Sequence, residues 1–428
     1  MSGRGVVLTG RGVVSPLGVG IEPHWEALCA GRSAVGRRDR LTALGLPASR
    51  GAEVAPDAIQ PHLARLPRKQ QKLWNRTTLL AMLGGVLAMD DAGLGAGAGE
   101  PRRFGVLLGV NMLAWDLGSM LEYLAASESA VTPGTLDVAR ASAFCMRSIN
   151  PLDFSLKTLP NLAAGHLAIA NDAQGFCRAL TEGHVGGARA VGDAARLIDE
   201  GDLDVALCGG ADDQLEELFF ATHWGGGVIA GDDGRPGLVP GEGSGLLVLE
   251  EAEHAIARGA RVHGELVGFA SAAGDGHLGG DDRAPRLTER LTRVIDTVLE
   301  EAKTAPDLVS LHGDGIPAHD QAEDAALARS LGAVVPSAPR LRLKAAHADL
   351  GAAASPVELL ACASALRHAT LPPAVSEHDP ESRLGRRGPS PATACSADHP
   401  PSRTPVLRSV LVLTLGLFGE CSALMMRS

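Results

Sequence analysis

Six short apolar runs constrain the fold of this 428-residue chain more than any other feature. In chain order they are GVVLTG, FGVLLGV, VALCGG, GLLVLEE, LVSLHG and SVLVLTLGLFG, the first beginning at Gly5 and the last at Ser409. Because polar and apolar residues hardly alternate within them, they predict strands that are buried on both faces. Stretches with helical spacing lie between them, at 75–94, 187–201, 286–303 and 354–369. Strands that alternate with helices predict a layered α/β fold.

Composition and charge exclude several functional classes. Only 3% of the residues are aromatic and the net charge is −11, which argues against a nucleic-acid partner. No apolar run is long enough for a signal peptide or a membrane span, so we expect a cytoplasmic protein without membrane contact. The seven cysteines include no CxxC pair, and we therefore expect neither a metal site nor a disulfide framework.

Five motifs occur in an order that is typical of one enzyme family. They are VVLTGRGVVSPLG (6–18), NLAAGHLAIA (161–170), AVGDAARLIDEGDLDVALCGGAD (190–212), PGEGSGLLVLEEAEHAIARGARVHGELVGF (240–269) and HGDGIPAHDQAE (312–323). Over nearly its whole length the chain resembles a β-ketoacyl-acyl carrier protein synthase of the thiolase superfamily. The resemblance implies a five-layered αβαβα fold with two pseudo-repeated halves, which we place at residues 1–252 and 253–428. It also implies a dimer that uses no small-molecule cofactor, because its acyl chains arrive on the phosphopantetheine of acyl carrier protein.

The resemblance places the nucleophile of the family at a position where this chain has a different residue. In the family a cysteine at a helix N-terminus is acylated, and that environment both lowers a thiol pKa and supplies oxyanion donors. The ungapped spacing from Gly175 puts His184 at this position. Glu182 stands two residues earlier, where the family usually has threonine, and we expect its charge to disfavour an enolate in the site. We interpret Cys177 as a packed thiol on the incoming strand rather than a displaced nucleophile.

The remaining catalytic positions of the family are partly retained. His312 matches its first catalytic histidine, but Asp314 begins the segment that replaces Thr-Gly-Thr. Lys344 matches the lysine before the second histidine, and we expect it to form a buried ion pair with Glu323. One residue is missing between Lys344 and the next glycine of the family's motif. Either His347 takes the place of the second histidine, or it lies only near the site.

A third segment also departs from the family. The Gly-Phe-Gly-Gly turn that gates the acyl pocket is GLFGECSA here, so Phe418 is retained and Glu420 replaces a glycine. Four changes around one pocket indicate a degenerate site with no confident catalytic residue.

These changes favour one function and leave a second open. The sequence is most similar to the chain length factor, or ketosynthase β subunit, of type II polyketide synthases, which lacks the nucleophile and shapes the chain tunnel beside an active ketosynthase α subunit. We do not expect such a subunit of an acyltransferase complex to condense by itself. The alternative is a malonyl-acyl carrier protein decarboxylase or acyltransferase that uses His312 and Lys344. A stand-alone condensing enzyme that uses His184 or Cys177 is the weakest hypothesis.

Two surfaces are candidates for partners. By analogy with the family, the dimer surface would include the strand CRAL (177–180) and the loop from Asn111 to Trp115. The basic stretch RLPRKQQKLWNR (65–76) has two interpretations. It could dock the acidic carrier protein or the partner subunit, or it could be only the solvated entry to a helix.

Overall fold

The computed structural model describes residues 3–95, 97, 99–111, 117–150, 157–276, 283–332, 338–373 and 407–428. The strands are β1 Val6–Ser15, β2 Gly18–Val19, β3 Gly36–Arg37, β4 Arg50–Gly51, β5 Phe104–Gly109, β6 Cys177–Leu180, β7 Val205–Asp213, β8 Glu242–Glu251, β9 Gly264–Ala272, β10 Leu308–Ser310, β11 Arg340–Leu341, β12 Ser409–Leu415 and β13 Cys421–Arg427. The helices are α1 Ile21–Cys29, α2 Asp39–Thr42, α3 Pro56–Leu63, α4 Arg68–Gln71, α5 Arg76–Asp91, α6 Leu117–Ser127, α7 Val138–Ser148, α8 Asn161–Asn171, α9 Val185–Asp199, α10 Glu217–Gly225, α11 Ala252–Ala257, α12 Arg283–Ala302, α13 Pro317–Leu331, α14 Lys344–His347 and α15 Ala354–His368. Two 3₁₀ turns lie at Pro101–Arg103 and Gly351–Ala353.

The main sheet has the strand order β11-β10-β12-β13-β9-β1-β8-β7-β5-β6. Its two ends are built alike: β7, β5 and β6 are parallel at one end, and β12, β10 and β11 are parallel at the other. Antiparallel strands fill the middle, and only a short pairing at Val7 and Leu8 of β1 joins the two ends through β9. The strands that the six apolar runs predict are all present, and those of β1, β8 and β12 are buried along their whole length.

Helices form three layers around these strands. On one outer face α5 packs on β1, β8 and β7, with α8 beside it. On the other outer face α12 packs on β9 and β13, with α13 against it. Between the two halves of the sheet lie α9, which contacts β5, β7 and β13, and α15, which contacts β8 and β12. The predicted αβαβα arrangement around a shared pair of buried helices is therefore confirmed.

Small residues allow α9 to lie at the centre of the molecule. A Cβ on Gly187 would meet the carbonyl oxygen of Ala352 at 1.9 Å, and one on Gly192 would meet the ring of Phe269 at 2.2 Å. These contacts require glycine, because interiors pack too densely for such side chains to move aside. The N-terminus of α9 is thereby pressed against the Gly351–Ala353 turn, and this contact positions the site described below.

The boundary between residues 252 and 253 stays a prediction. The charged, proline-rich segment at 376–405 lies outside the described residues, as do residues 112–115 of the expected dimer loop. Among the helices that the structure describes, none combines the length and the apolar character needed to cross a membrane.

Candidate functional site

Four segments that are far apart in sequence meet at the N-terminus of α9. His184 directly precedes this helix, and His312 follows β10. The rings of His184 and His312 are perpendicular, with centroids 5.9 Å apart. The short helix α14 contributes Lys344 and His347, and the turn between β12 and β13 completes the group. The expected positions of the nucleophile and of the first catalytic histidine are therefore neighbours in space.

His184 is buried and forms an ion pair. Its Nε2 lies 3.2 Å from Asp349 Oδ1, and the amide group of Gln214 lies 3.2 Å from the same nitrogen. Burial disfavours the charged imidazole, but the carboxylate of Asp349, helped by Asp314 and Glu420, raises the pKa of His184 to about 9. At neutral pH His184 is thus an imidazolium, which has no lone pair with which to attack an acyl group.

Asp349 is a site residue that the sequence analysis missed. It is buried, it accepts a hydrogen bond from the backbone N–H of Gly351 at 2.8 Å, and its pKa lies below the ordinary range because His184 outweighs the opposing effect of burial. It follows Ala348, whose φ of 67° is rare for a residue with a side chain. The missing residue between Lys344 and Gly351 was the available signal, since a shortened segment must alter which side chain points inward.

A second hydrogen-bonded group surrounds His312. Asp314 Oδ2 lies 3.2 Å from His312 Nε2 and 2.7 Å from His319 Nδ1. Burial, helped by the charge of Lys344, lowers the pKa of His312 to about 4, so this histidine is neutral at pH 7. The two histidines hold the pKa of Asp314 well below its usual range although burial opposes this effect. The Nε2 atom of His312 is therefore engaged by a carboxylate.

His319 and Arg283 are two further members of this group that were not predicted from the sequence. Arg283 Nη2 lies 2.7 Å from His319 Nε2. His319 was visible in the motif HGDGIPAHD, seven residues after His312, but Arg283 comes from a different helix and carries no sequence signal.

The side chains of His312, Asp314 and His319 have the composition of a metal site, with three ligand atoms within 4.8 Å of one another. Their hydrogen bonds favour another interpretation. A guanidinium has only donors, so the nitrogen of His319 that faces Arg283 must accept, and the other nitrogen must carry the proton that it donates to Asp314. A protonated nitrogen does not ligate a metal.

The prediction that Lys344 pairs with Glu323 is wrong, because Lys344 pairs with a different glutamate. Lys344 Nζ lies 2.8 Å from Glu358 Oε1, and both groups are buried. Glu323 accepts instead from the backbone N–H groups of His312 at 2.6 Å and Gly313 at 3.3 Å, and burial raises its pKa to about 8. The reason is that α15 places Glu358 opposite α14, while the oxygens of Glu323 are already used by the turn after β10.

Among the described ring contacts, none joins His347 to His312. His347 is fully buried, its Nδ1 donates to the carbonyl oxygen of Ala348 at 2.7 Å, and burial lowers its pKa to about 4. Among the described side chains its ring neighbour is that of His24, at a centroid distance of 6.0 Å. Of the two sequence interpretations, the structure thus favours a histidine that lies only near the site.

Two further expectations about side chains are corrected. Glu182 does not direct its charge into the site, because it pairs with Arg189 of α9 at 2.8 Å and is half-exposed. A residue three positions before a helix can reach the outer face of its first turns, and here Arg189 lies on that face. Cys177 is exposed rather than packed, since it lies on β6 at the edge of the sheet.

The turn between β12 and β13 contributes its predicted residues in different ways. Phe418 is 47% exposed at the tip of the turn. Glu420 folds back, accepts from the backbone N–H of Phe418 at 3.0 Å and adds negative charge near His184.

Comparison with known proteins decides the family. Residues 3–255 match the family model described as "Beta-ketoacyl synthase, N-terminal domain", and residues 263–377 match "Beta-ketoacyl synthase, C-terminal domain". The chain belongs to the β-ketoacyl synthase family.

Relatives within this family include proteins of polyketide synthesis. A protein of Streptomyces halstedii that carries the name polyketide β-ketoacyl synthase 1 is 30% identical, over 99% of this chain and 98% of its own. The solved ishigamide ketosynthase/chain length factor is 27% identical with a TM-score of 0.77, covering 100% of both chains. A ketosynthase solved in complex with its type II polyketide synthase acyl carrier protein shares the fold, with a TM-score of 0.77 at 24% identity over 100% of both chains.

Proposed function

We propose that this β-ketoacyl synthase family member is the non-condensing subunit, or chain length factor, of a heterodimeric ketosynthase in type II polyketide or polyene biosynthesis. In this role it would pair with an active ketosynthase subunit and shape the tunnel that receives the growing chain. The observation that carries the proposal is the buried ion pair of His184 with Asp349 at the position of the nucleophile. An imidazolium that is held in this way forms no acyl intermediate.

The surroundings of His312 also disfavour chemistry on this chain. Condensation and decarboxylation both develop negative charge on the acyl oxygen, which a donor must stabilise. The carboxylate of Asp314 lies 3.2 Å from the Nε2 of His312 and engages a nitrogen that would otherwise be free to donate to such an oxygen. A fixed negative charge there would destabilise an enolate, and this speaks against the decarboxylase alternative as well.

Exposed apolar side chains support the proposal that a partner subunit binds this chain. Within α7, all of which the structure describes, no side chain is buried. Several large apolar side chains are exposed on the hairpin of α6 and α7, on α8 and just before the edge strand β6: Leu121, Leu124, Val131, Leu136, Val138, Met146, Ile169 and Phe176. We call this set the arm surface. Exposed apolar side chains and a strand at the edge of a sheet are both typical of surfaces that another chain covers.

A partner of the arm surface would complete the proposed heterodimer, and the ishigamide neighbour bears both functions in its name. The carrier protein would bring the acyl chain. Arg68, Lys69 and Lys72 are exposed in and beside α4 and offer positive charge to an acidic carrier protein. We include this contact in the proposal, with a solvated helix entry as the alternative.

The decisive experiment is native mass spectrometry of the full chain, expressed together with a candidate ketosynthase that has the complete Cys-His-His set and with its carrier protein. We expect a one-to-one complex and no acyl adduct on this chain after incubation with malonyl-carrier protein. A homodimer that ignores the ketosynthase and converts malonyl- to acetyl-carrier protein would overturn the proposal in favour of the decarboxylase.

A matched pair of variants tests the surface. Ile169 is 76% exposed within the arm surface, and Ile256 on α11 is 73% exposed outside it. We expect Ile169→Asp to weaken the complex and Ile256→Asp to leave it intact. Equal behaviour of both variants would place the interface elsewhere.

A further inference from the structure

Two arginines of α12 hold the turn Gly416–Glu420 by its carbonyl oxygens. Arg283 Nη2 donates to the carbonyl oxygen of Leu417 at 2.9 Å, and Arg290 Nη1 donates to that of Gly419 at 2.6 Å. Hydrogen bonds from a charged donor are stronger than those between neutral groups. The backbone of the turn is therefore attached to a neighbouring helix at two points.

The turn is also braced from within. The N–H of Gly416 donates to the carbonyl oxygen of Glu420 at 2.8 Å, and the side chain of Glu420 accepts from the N–H of Phe418 at 3.0 Å. A Cβ on Gly274 would meet the carbonyl oxygen of Phe418 at 2.1 Å, so the adjoining loop packs directly against the turn. A turn whose backbone groups are engaged on every side has little freedom to move.

Arg283 makes a second contact that leads into the site. The same Nη2 atom that reaches the turn lies 2.7 Å from His319 Nε2. His319 Nδ1 in turn donates to Asp314, and Asp314 accepts from His312. Arg283 is 7% exposed, and the other three side chains are buried as well. One buried cation thus connects the turn at residues 416–420 to the histidine opposite His184.

The direction of each hydrogen bond in this chain follows from Arg283. Because the guanidinium only donates, His319 must accept at Nε2 and carry its proton on Nδ1. Asp314 then accepts hydrogen bonds from two histidines, and this fixes the orientation of the ring of His312. The carboxylate of Asp314 only accepts and requires the same tautomer of His319, so Asp314 fixes one side of this ring and Arg283 fixes the side that faces the turn.

We propose that Arg283 is a positioning residue that locks the turn Gly416–Glu420 to the chain His319–Asp314–His312, so that the turn is a fixed wall of the site rather than a moving gate. The lock is built from the side chains of this chain alone. It goes beyond the proposed function, because it holds whichever subunit covers the arm surface.

Hydrogen–deuterium exchange of the full chain, together with nitrogen NMR of its histidines, tests the lock. We expect Arg283→Met to speed exchange in the peptide that spans residues 416–420 by at least about tenfold, since the carbonyl oxygen of Leu417 loses its donor. We also expect the nitrogen signal of His319 Nε2 to shift, because this atom loses the donor from which it accepts. The control is Arg293→Gln, an exposed position on the same helix, which should change neither signal.

Two more variants separate positioning from general stability. His319→Asn cuts the chain but leaves the bond of Arg283 to Leu417, so exchange at the turn should stay slow while the signals of His312 shift. Arg283→Lys retains the positive charge but offers fewer hydrogen-bond donors, so exchange at the turn and the nitrogen signal of His319 should lie between those of the wild type and Arg283→Met. This variant replaces Arg283→Met in the test if Arg283→Met does not fold.

Three results would overturn the lock: unchanged exchange at the turn together with an unchanged His319 Nε2 signal in folded Arg283→Met, fast exchange at the turn in His319→Asn, or binding of added Zn²⁺ that depends on His319. Because none of these measurements requires a partner subunit, failure of the lock and failure of the proposed heterodimer are distinguishable.

Discussion

His184 Nε2 lies 3.2 Å from Asp349 Oδ1, where both side chains are buried at the N-terminus of α9. A cation at this end of a helix is unfavourable, because the N-terminus already carries partial positive charge. The carboxylate of Asp349 offsets that cost. An internal ion pair thus occupies the end of the helix at which the sequence comparison predicts the nucleophile of the family, and its consequences can be measured.

Removal of the carboxylate should return His184 to the neutral form. We expect Asp349→Asn to lower the pKa of His184 from about 9 towards its ordinary value of 6.5, since burial is then opposed only by the charges of Asp314 and Glu420. Titration of the His184 ring signals by NMR measures this shift, and Gln214→Ala serves as the control that leaves the charge pair in place. A pKa that stays near 9 in Asp349→Asn would show that other acids hold the proton.

The same pair should make stability depend on pH. Folding raises the pKa of His184 from 6.5 to about 9, so its stabilising contribution is complete below pH 6.5 and is lost as the pH rises through 9. Buried acids with raised pKa values, such as Glu323 and Glu358, weaken the fold over part of the same range.

The contribution of His184 to stability is therefore measured as the difference in the free energy of unfolding between the wild type and a His184 variant. Urea unfolding of the wild type and of His184→Gln is compared from pH 6 to pH 10. We expect the free-energy difference between them to shrink towards alkaline pH. A difference that does not vary with pH would mean that His184 is neutral in the folded protein.

The sequence predicted the layers and the place of His184, but not the contacts around it. Uninterrupted apolar runs indicate strands that are buried on both faces, and this inference does not depend on the order of the strands in the sheet. The partner of Lys344 depends instead on which helix lies opposite, and Glu323 and Glu358 are equally plausible until α15 is placed. Arg283 reaches the site only through the packing of α12, which no local pattern encodes. Glu182 is close to His184 in sequence, but this proximity did not predict that its side chain would turn away from the site towards Arg189.

Restoring a thiol should not restore a nucleophile. In His184→Cys the new side chain would lie in a buried place beside the carboxylate of Asp349, and both burial and negative charge disfavour a thiolate. We expect iodoacetamide to label the introduced thiol of this variant at least about tenfold more slowly than the exposed Cys177 of the same molecule. Mass spectrometry of the two peptides gives both rates in one experiment.

The variant also tests the rest of the site. We expect no acyl adduct on His184→Cys after incubation with acetyl-carrier protein, because Asp314 still engages His312. Rapid labelling together with an acyl adduct would show that the site remains competent and that only the nucleophile was lost.

The buried pair of Lys344 with Glu358 should matter for stability rather than for a reaction. Lys344→Met leaves the carboxylate of Glu358 buried without its cation, and we expect the free energy of unfolding to fall by about 3–5 kcal/mol. The double variant Lys344→Met with Glu358→Leu removes both charges and should recover most of that loss. The control is Arg342→Met, whose exposed pair with Asp320 at 3.1 Å should cost no more than about 1 kcal/mol. Chemical unfolding of the four proteins gives the comparison. If Glu323→Leu instead of Glu358→Leu rescued Lys344→Met, the ion pair would be the one that the sequence alone suggested.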